Sequence, residues 1–186
     1  MTHTVLPILW QKNPVINKIP PTLMPWLFHS ESLTKKLRQQ CKKFSVRVLK
    51  ETWQRPRYDE AKFLKISPRE SVLVREVQLI CDDQVCVFAR SIFPRESLRG
   101  KGYRLRSLQA RPLIEVLAAD KLLKRSNFEI ACVPVIEHYC ELLNNQENTD
   151  QFLWQRRSIF YFYNKPILVS ELFLPAIIGI QKNKLA

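Results

Sequence analysis

The sequence predicts an α+β protein built on one antiparallel β-sheet with helices packed on it. Two pairs of β-rich segments carry this prediction: residues 71–81 with 84–94, and residues 156–163 with 166–175. Each pair is rich in Val, Ile, Leu and Phe and is joined by a two-residue polar turn, which indicates a β-hairpin. Strands that follow one another in hairpins, without helices between them, favour an antiparallel sheet.

The N-terminal part is predicted to be irregular first and helical afterwards. Three prolines interrupt residues 1–20, so no regular element is expected there. One or two helical turns are expected at 22–28. Ser30 or Ser32 then caps a helix that runs through Gln40, because Leu33, Leu37 and Cys41 recur at helical spacing.

The other elements follow from local patterning. The turns of the two hairpins are predicted at Asp82-Asp83 and Asn164-Lys165. The remaining segments are expected in this order: a half-buried strand at 44–48, mostly loop at 53–70, a basic loop at 95–111, a helix from Pro112 to about Lys124, a short strand at 128–132, a helix at 135–143 and a polar loop before the second hairpin.

Length and composition exclude several classes of protein. The chain has 186 residues, of which 46% are hydrophobic, so intrinsic disorder is excluded. We expect a single domain over 1–186, with an irregular segment at 1–20 and a variable tail at 177–186. Three glycines cannot form a Gly-rich phosphate loop. The sequence has no run of 18 apolar residues and no basic start to its N-terminus, which predicts a cytoplasmic protein without membrane insertion.

The five cysteines are not spaced as metal ligands. No CxxC pair occurs, their number is odd, and most have apolar neighbours. We therefore expect reduced thiols and no metal site.

Two charged residues occur on strand faces that are otherwise apolar. Arg75 shares a face with Leu73, Val77 and Leu79, and Glu171 shares one with aliphatic and aromatic residues. Charged side chains are seldom buried unless they are paired or functional. Arg75 and Glu171 could therefore pair with each other or with backbone groups and only hold the sheet together, or the faces could be assigned wrongly.

The functional alternative is a buried site for a small anion. The guanidinium of Arg75 can hold a carboxylate through two parallel hydrogen bonds. Desolvation disfavours the charged form of Glu171, so its carboxyl group could donate a proton or bind a substrate hydroxyl. Arg90, between Phe88 and Ile92, is a weaker candidate of the same kind. If Pro112 is the first helical residue, the N–H of Leu113 has no intrahelical partner and could also bind an anion, although an ordinary solvated helix start would look the same.

These residues lie in segments that together resemble the bacterial chorismate lyase (chorismate–pyruvate lyase) family. The matching segments are SLTKKLRQQ (32–40), RESVLVREVQL (69–79) followed by FARSIFP (88–94), RPLIEVL (111–117) and WQRRSIFYFYNKPILVSELFLPA (154–176). They occur in the family's order within residues 22–176. A segment around 133–153 and the tail after 176 depart from the family pattern.

The resemblance implies a cytoplasmic, monomeric enzyme that converts chorismate to 4-hydroxybenzoate and pyruvate, the first step of the ubiquinone head-group pathway, without metal or organic cofactor. It also implies helical flaps that cover a buried ligand cavity. By resemblance, Arg75 binds the ring carboxylate, Glu171 is the buried glutamate, Leu113 is the backbone ligand, and Leu33 occupies the flap position that is commonly Met.

Two other functions are compatible with parts of the sequence. A related fold serves as the effector domain of GntR-type regulators, so a small-anion sensor without catalysis is one alternative. The net charge of +13, with basic runs at 35–57 and 95–111, is compatible with nucleic-acid binding. No nucleic-acid motif occurs, so we expect no such partner. A positive field would also speed the encounter with a dianion such as chorismate.

Overall fold

Seven strands form one antiparallel sheet in the computed structural model, which describes residues 8–134 and 152–180. The strands are β1 (Phe44–Gln54), β2 (Val72–Cys81), β3 (Gln84–Phe93), β4 (Lys124–Arg125), β5 (Glu129–Pro134), β6 (Phe152–Phe162) and β7 (Lys165–Phe173). Their spatial order is β1-β2-β3-β7-β6-β4, and β5 also pairs with β6. The predicted α+β class is confirmed.

Short helices cover the sheet. The α-helices are α1 (Met24–Leu27), α2 (Leu33–Gln40), α3 (Tyr58–Leu64), α4 (Leu113–Leu117) and α5 (Ala176–Ile180), and 3-10 segments lie at Ile16–Lys18, Arg95–Leu98 and Gly100–Ser107. The helices α1, α2, α4 and α5 pack on one face, whereas Leu64 of α3 packs on the other. Both faces of the central strands are therefore buried, and β2 is buried at all ten positions. This explains why apolar residues occur on both faces of the segment 71–81 and do not alternate strictly with polar ones.

The turn of the first hairpin lies at Asp82-Asp83, as predicted. Asp82 and Asp83 both have positive φ, 47° and 64°, as a tight two-residue hairpin turn requires. Oδ1 of Asp82 also accepts hydrogen bonds from the backbone N–H groups of Lys42 and Lys43, at 3.0 and 2.9 Å. The aspartate thus ties the turn to the start of β1.

The turn of the second hairpin lies one residue earlier than predicted. Tyr163 and Asn164 take the positive φ values, 49° and 63°, and Lys165 is already paired with Phe162. The prediction of Asn164-Lys165 is therefore wrong. The pairing of β6 with β7 sets the turn position, and a tyrosine in this conformation was not expected from local propensity.

The predictions for the helices have mixed outcomes. Ser32 caps α2 as expected, since its Oγ accepts a hydrogen bond from the N–H of Lys35. The predicted loop at 53–70 contains α3, so that prediction is wrong. The carboxylate of Glu60 accepts a hydrogen bond from the N–H of Arg57 at 2.8 Å and stabilises the start of this helix.

The helix that begins after Pro112 is much shorter than predicted. It ends at Leu117, and Pro112 is its N-cap residue, with Leu113 the first helical residue. The carboxylate of Asp120 accepts hydrogen bonds from the N–H groups of Leu122 and Tyr163, which turns the chain towards β4. Arg125 therefore lies on a strand. The predicted helix at 135–143 lies outside the described residues.

Two of the expected thiols are joined. Cys41, at the end of α2, and Cys81, at the end of β2, form a disulfide with a Cα–Cα distance of 5.6 Å. The expectation of separate reduced thiols is wrong for this pair; Cys86 and Cys132 are free. In the described part of the chain, no helix is long and apolar enough to cross a membrane.

Candidate functional site

A cavity of about 210 Å³ lies between the sheet and the helices α2 and α4. Its floor is formed by side chains of β2, β3 and β7: Arg75, Val77, Leu79, Ala89, Ser91, Val169 and Glu171. Residues from α2 and α4, among them Leu33 and Leu113, cover it. The floor is apolar except for a serine and two opposite charges, so it suits a small ring with polar substituents.

Arg75 is buried in the floor of this cavity, at 2% exposure. Its Nη2 donates hydrogen bonds to the carbonyl oxygens of Gln109 and Arg111, at 2.7 and 3.1 Å, and its Nε lies 3.5 Å from the carboxylate of Glu51. Burial lowers the pKa of Arg75, and the charge of Glu51 opposes this shift. Within the described residues Nη1 has no hydrogen-bond partner, so this nitrogen can bind a ligand.

Glu171 lies two residues along β7 from Val169 and faces the same cavity. Its Oε2 accepts a hydrogen bond from Nε of Arg156 at 2.6 Å and is 3.6 Å from Nη2 of Arg125. The sequence had indicated apolar surroundings for Glu171, but two arginine side chains lie beside its carboxylate. Glu171 would therefore act beside two arginine side chains, which the predicted role did not include.

The sequence left open that Arg75 and Glu171 only hold the sheet together, by pairing with each other or with backbone groups. Arg75 and Glu171 are not paired with each other, since each has its own charged partner. Arg75 does bond to backbone carbonyls, as that alternative required. Both side chains nevertheless line the cavity, so the faces were assigned correctly.

Leu33 and Leu113 belong to the two helices that cover the cavity. Leu33 is in the first turn of α2, and Leu113 begins α4. The N–H of Leu113 donates no hydrogen bond to any residue of the described ranges, as expected for a first helical position. An ion pair of 2.6 Å between Arg38 of α2 and Glu115 of α4 joins the two helices at the surface.

Arg90 lies on the opposite face of the sheet. Its guanidinium donates to Glu60 at 2.7 and 3.1 Å and to Glu76 at 2.6 Å, and all three side chains are buried. The two carboxylates raise the pKa of Arg90 against the effect of burial. Arg90 does not line the cavity, so it is separate from the other four predicted residues.

Two arginines at the site were not singled out from the sequence. Arg156 is fully buried beneath Glu171, and Arg125 lines the cavity beside it. Burial lowers the pKa of Arg125 to about 10, with Glu171 opposing this shift and Arg156 adding to it. Arg156 could have been singled out from the sequence, because it is a charged residue that shares a strand face with Ser158 and Phe160. Arg125 could not have been, because its strand has only two residues.

Solved structures with a similar fold include domains of transcription regulators. The effector domain of PhnF from Mycobacterium smegmatis superimposes with a TM-score of 0.60 at 12% identity, covering 78% of this chain and 89% of that one. The ligand-binding domain of a putative GntR-family regulator from Bordetella bronchiseptica gives a TM-score of 0.54 at 19% identity, covering 73% and 88%. At these identities the likeness concerns the fold alone.

Sequence relatives are much more similar. A probable chorismate pyruvate-lyase of Aromatoleum aromaticum is 37% identical over 174 residues, covering 92% of this chain and 94% of the relative. Another, from Methylococcus capsulatus, is 36% identical and covers 85% and 98%. The model of the family described as chorismate lyase matches residues 5–183. With a match of this extent, the chain belongs to the chorismate lyase family.

Proposed function

We propose that this protein is a lyase that removes pyruvate from chorismate and leaves 4-hydroxybenzoate, as the first step of the ubiquinone head-group pathway. The observation that carries the proposal is the placement of Arg75 and Glu171 in the floor of one covered cavity. Membership of the family supports the same reaction. We further propose that the chain acts as a single-domain, cytoplasmic monomer and does not bind nucleic acid.

The reaction needs positioning more than strong chemical assistance. The bond between ring C3 and the ether oxygen breaks, the proton on C4 is lost, and the electron pair of the C4–H bond completes the aromatic ring. The expelled enolpyruvate takes up a proton at its methylene carbon and becomes pyruvate. Because aromatisation is strongly favourable, holding the reacting groups in one geometry and stabilising the developing charge supply most of what the enzyme must add.

The cavity residues fit this task. Arg75 binds the ring carboxylate through Nη1, and the N–H of Leu113 adds a second donor. Glu171 binds the hydroxyl on C4, which keeps the neighbouring ether oxygen on C3 in a fixed position. Leu33 closes over the ring. A cavity without bulk water strengthens each of these polar contacts.

The direct test is turnover of chorismate by the purified protein, followed through pyruvate release and the ultraviolet absorbance of the aromatic product. We expect both products in equal amounts without added metal. Absence of both products at high enzyme concentration would overturn the proposal. A sensor of the same fold would bind a small anion without releasing pyruvate, so the assay also separates that alternative.

A further inference from the structure

Arg125 is the cation of the cavity that the proposed function has not used. It pairs with Phe160 across β4 and β6, and its side chain is only 16% exposed. Its guanidinium lies between the rings of Phe128 and Phe160, at 4.2 and 4.5 Å from their centroids. Its Nε donates to Oγ of Ser158 at 2.8 Å. These contacts hold the guanidinium in one orientation.

The two terminal nitrogens of Arg125 are left for another partner. Nη2 lies 3.6 Å from the carboxylate of Glu171, which is longer than a hydrogen bond, and Nη1 has no hydrogen bond within the described ranges. Glu171 already accepts the shorter bond from Arg156. Arg156 in turn uses Nη1 on three backbone carbonyls. In the described residues, Arg156 also has a buried Nη2 without a hydrogen-bond partner, whereas Arg125 lacks a hydrogen bond at both of its terminal nitrogens.

The charges around the floor do not balance. Among the residues that the structure describes, three arginines, at positions 75, 125 and 156, meet two carboxylates, Glu51 and Glu171. Glu31 also lines the cavity but is exposed at its mouth. A buried cation without a full partner is costly, so a site that keeps one is suited to an anionic ligand group.

The register of the sheet places Arg75 and Ser158, the hydrogen-bond partner of Arg125, at opposite ends of one row. Arg75, Ser91, Val169 and Ser158 are direct partners across β2, β3, β7 and β6, and Ser158 accepts the hydrogen bond from Arg125. Neighbouring strands lie about 4.8 Å apart, so Arg75 and Ser158 are separated by about 14 Å at the backbone. Arg75 extends from one end of this row and Arg125 contacts the other, so the two side chains can hold two anionic groups of one small molecule.

We propose that Arg125 binds the second carboxylate of the substrate, the one on the enolpyruvyl group. This inference rests on the proposed function. With the ring carboxylate on Arg75 and the C4 hydroxyl on Glu171, the enolpyruvyl ether on C3 lies next to Glu171, on the side of Arg125. The guanidinium then attracts the carboxylate of the leaving group and fixes the ether bond for cleavage.

The proposal predicts that Arg125 and Arg75 contribute to the binding of different sets of ligands. Chorismate has both carboxylates, whereas 4-hydroxybenzoate has only the ring carboxylate. Changes at Arg125 should therefore weaken the dianion selectively, and changes at Arg75 should weaken both ligands. A purely structural role for Arg125 would affect both ligands equally.

The test compares Arg125→Gln with Arg75→Gln on two stable probes, 4-hydroxybenzoate and 3-(carboxymethoxy)-4-hydroxybenzoate, a dicarboxylate that cannot eliminate. We expect Arg125→Gln to lose about 10- to 100-fold in affinity for the dicarboxylate, as for one charge-assisted contact, and less than threefold for 4-hydroxybenzoate. Arg125→Lys, which keeps the charge, should recover part of the loss. With chorismate, kcat/KM should fall in the same order.

Equal losses for both probes in Arg125→Gln and Arg125→Lys would overturn the proposal, as would unchanged affinity for the dicarboxylate. Should Arg125→Gln fail to fold, the comparison is made with Arg125→Lys, for which weakened binding of the dicarboxylate alone is expected. Turnover of chorismate by the unmodified protein is measured in parallel. If that turnover is absent while the two probes still differ at Arg125, the proposed function fails and the second anion site stands.

Discussion

The guanidinium of Arg156 joins the carboxylate of Glu171 to the polypeptide that covers the cavity. Its Nε donates to Glu171 at 2.6 Å, while Nη1 lies 3.0, 3.1 and 2.7 Å from the carbonyl oxygens of Trp26, Leu27 and His29. One buried side chain thus fixes the orientation of Glu171 and the position of the segment that includes α1.

Replacing Arg156 by Lys should destabilise the fold although the charge is kept. An ammonium group cannot reproduce the planar fork, so carbonyls of the 26–29 segment lose their donor. We expect a loss of about 3 kcal/mol in the free energy of unfolding, as for a broken buried pair, measured by urea denaturation. The control is Arg99→Lys, in an exposed ion pair with Glu96. Equal stability of the two variants would contradict this role for Arg156.

Replacing Glu171 by Gln should reduce turnover far more than stability. The amide can still accept a hydrogen bond from Arg156, but it can no longer exchange a proton or balance the charge. We expect kcat to fall by about 100-fold or more. Glu129→Gln is the matched control, because Glu129 pairs with Arg157 on the other face. If the variant is strongly destabilised but its folded fraction keeps the turnover of the unmodified protein, Glu171 has a structural role only.

Replacing Arg75 by Ala should weaken binding of both substrate and product. The variant removes the charged donor for the ring carboxylate and leaves Glu51 without its partner. We expect a loss of about 2–4 kcal/mol in binding free energy for 4-hydroxybenzoate, measured by calorimetry. Product affinity that stays unchanged in a folded variant would remove Arg75 from the site.

Replacing Arg90 by Leu should destabilise the protein without changing the site. The variant leaves Glu60 and Glu76 as buried charges without a cation. We expect about 3–5 kcal/mol less stability. At a temperature where circular dichroism shows the variant to be folded, KM for chorismate should remain within twofold. A tenfold increase in KM would show that the two faces of the sheet are coupled.

Acidification should destabilise the protein in part through His29. Burial lowers the pKa of His29, with further contributions from the charges of Lys36 and Arg156. As the pH falls through 6.5, the unfolded chain takes up a proton that the folded chain binds only at lower pH, so stability decreases. His29→Gln should flatten this part of the stability profile between pH 7 and 5. Lys36→Gln should reduce the slope, since it removes one repulsive charge. An identical profile in His29→Gln would contradict the assignment.

The sequence predicted most reliably what local interactions determine. The first hairpin was located correctly because Asp82 and Asp83 are small polar residues that tolerate positive φ. Arg75 and Glu171 were assigned to the faces that line the cavity because alternation along a strand sets the face of a residue without knowledge of the partner strands. The cap at Ser32 is likewise a contact over three residues.

Long-range contacts account for what was missed. β4 has two residues and exists because Lys124 and Arg125 pair with Tyr161 and Phe160, so no periodicity reveals it. The carbonyl partners of Arg156 lie 127 to 130 residues away along the chain. α3 is seven residues long, and its buried positions are defined by the sheet against which Leu64 packs.

The contacts of Arg156 also determine where the cavity can open. The 26–29 segment cannot leave the sheet without removing three carbonyl acceptors from a buried guanidinium, so we expect it to stay in place while the cavity opens. Residues 30–34 line the cavity and follow this segment directly, and α2 contacts α4 through the surface ion pair of Arg38 and Glu115. Because both side chains of that pair are well exposed, at 49% and 38%, salt will screen it. We therefore expect the product to leave along the seam between α2 and α4, with a dissociation rate that rises with ionic strength.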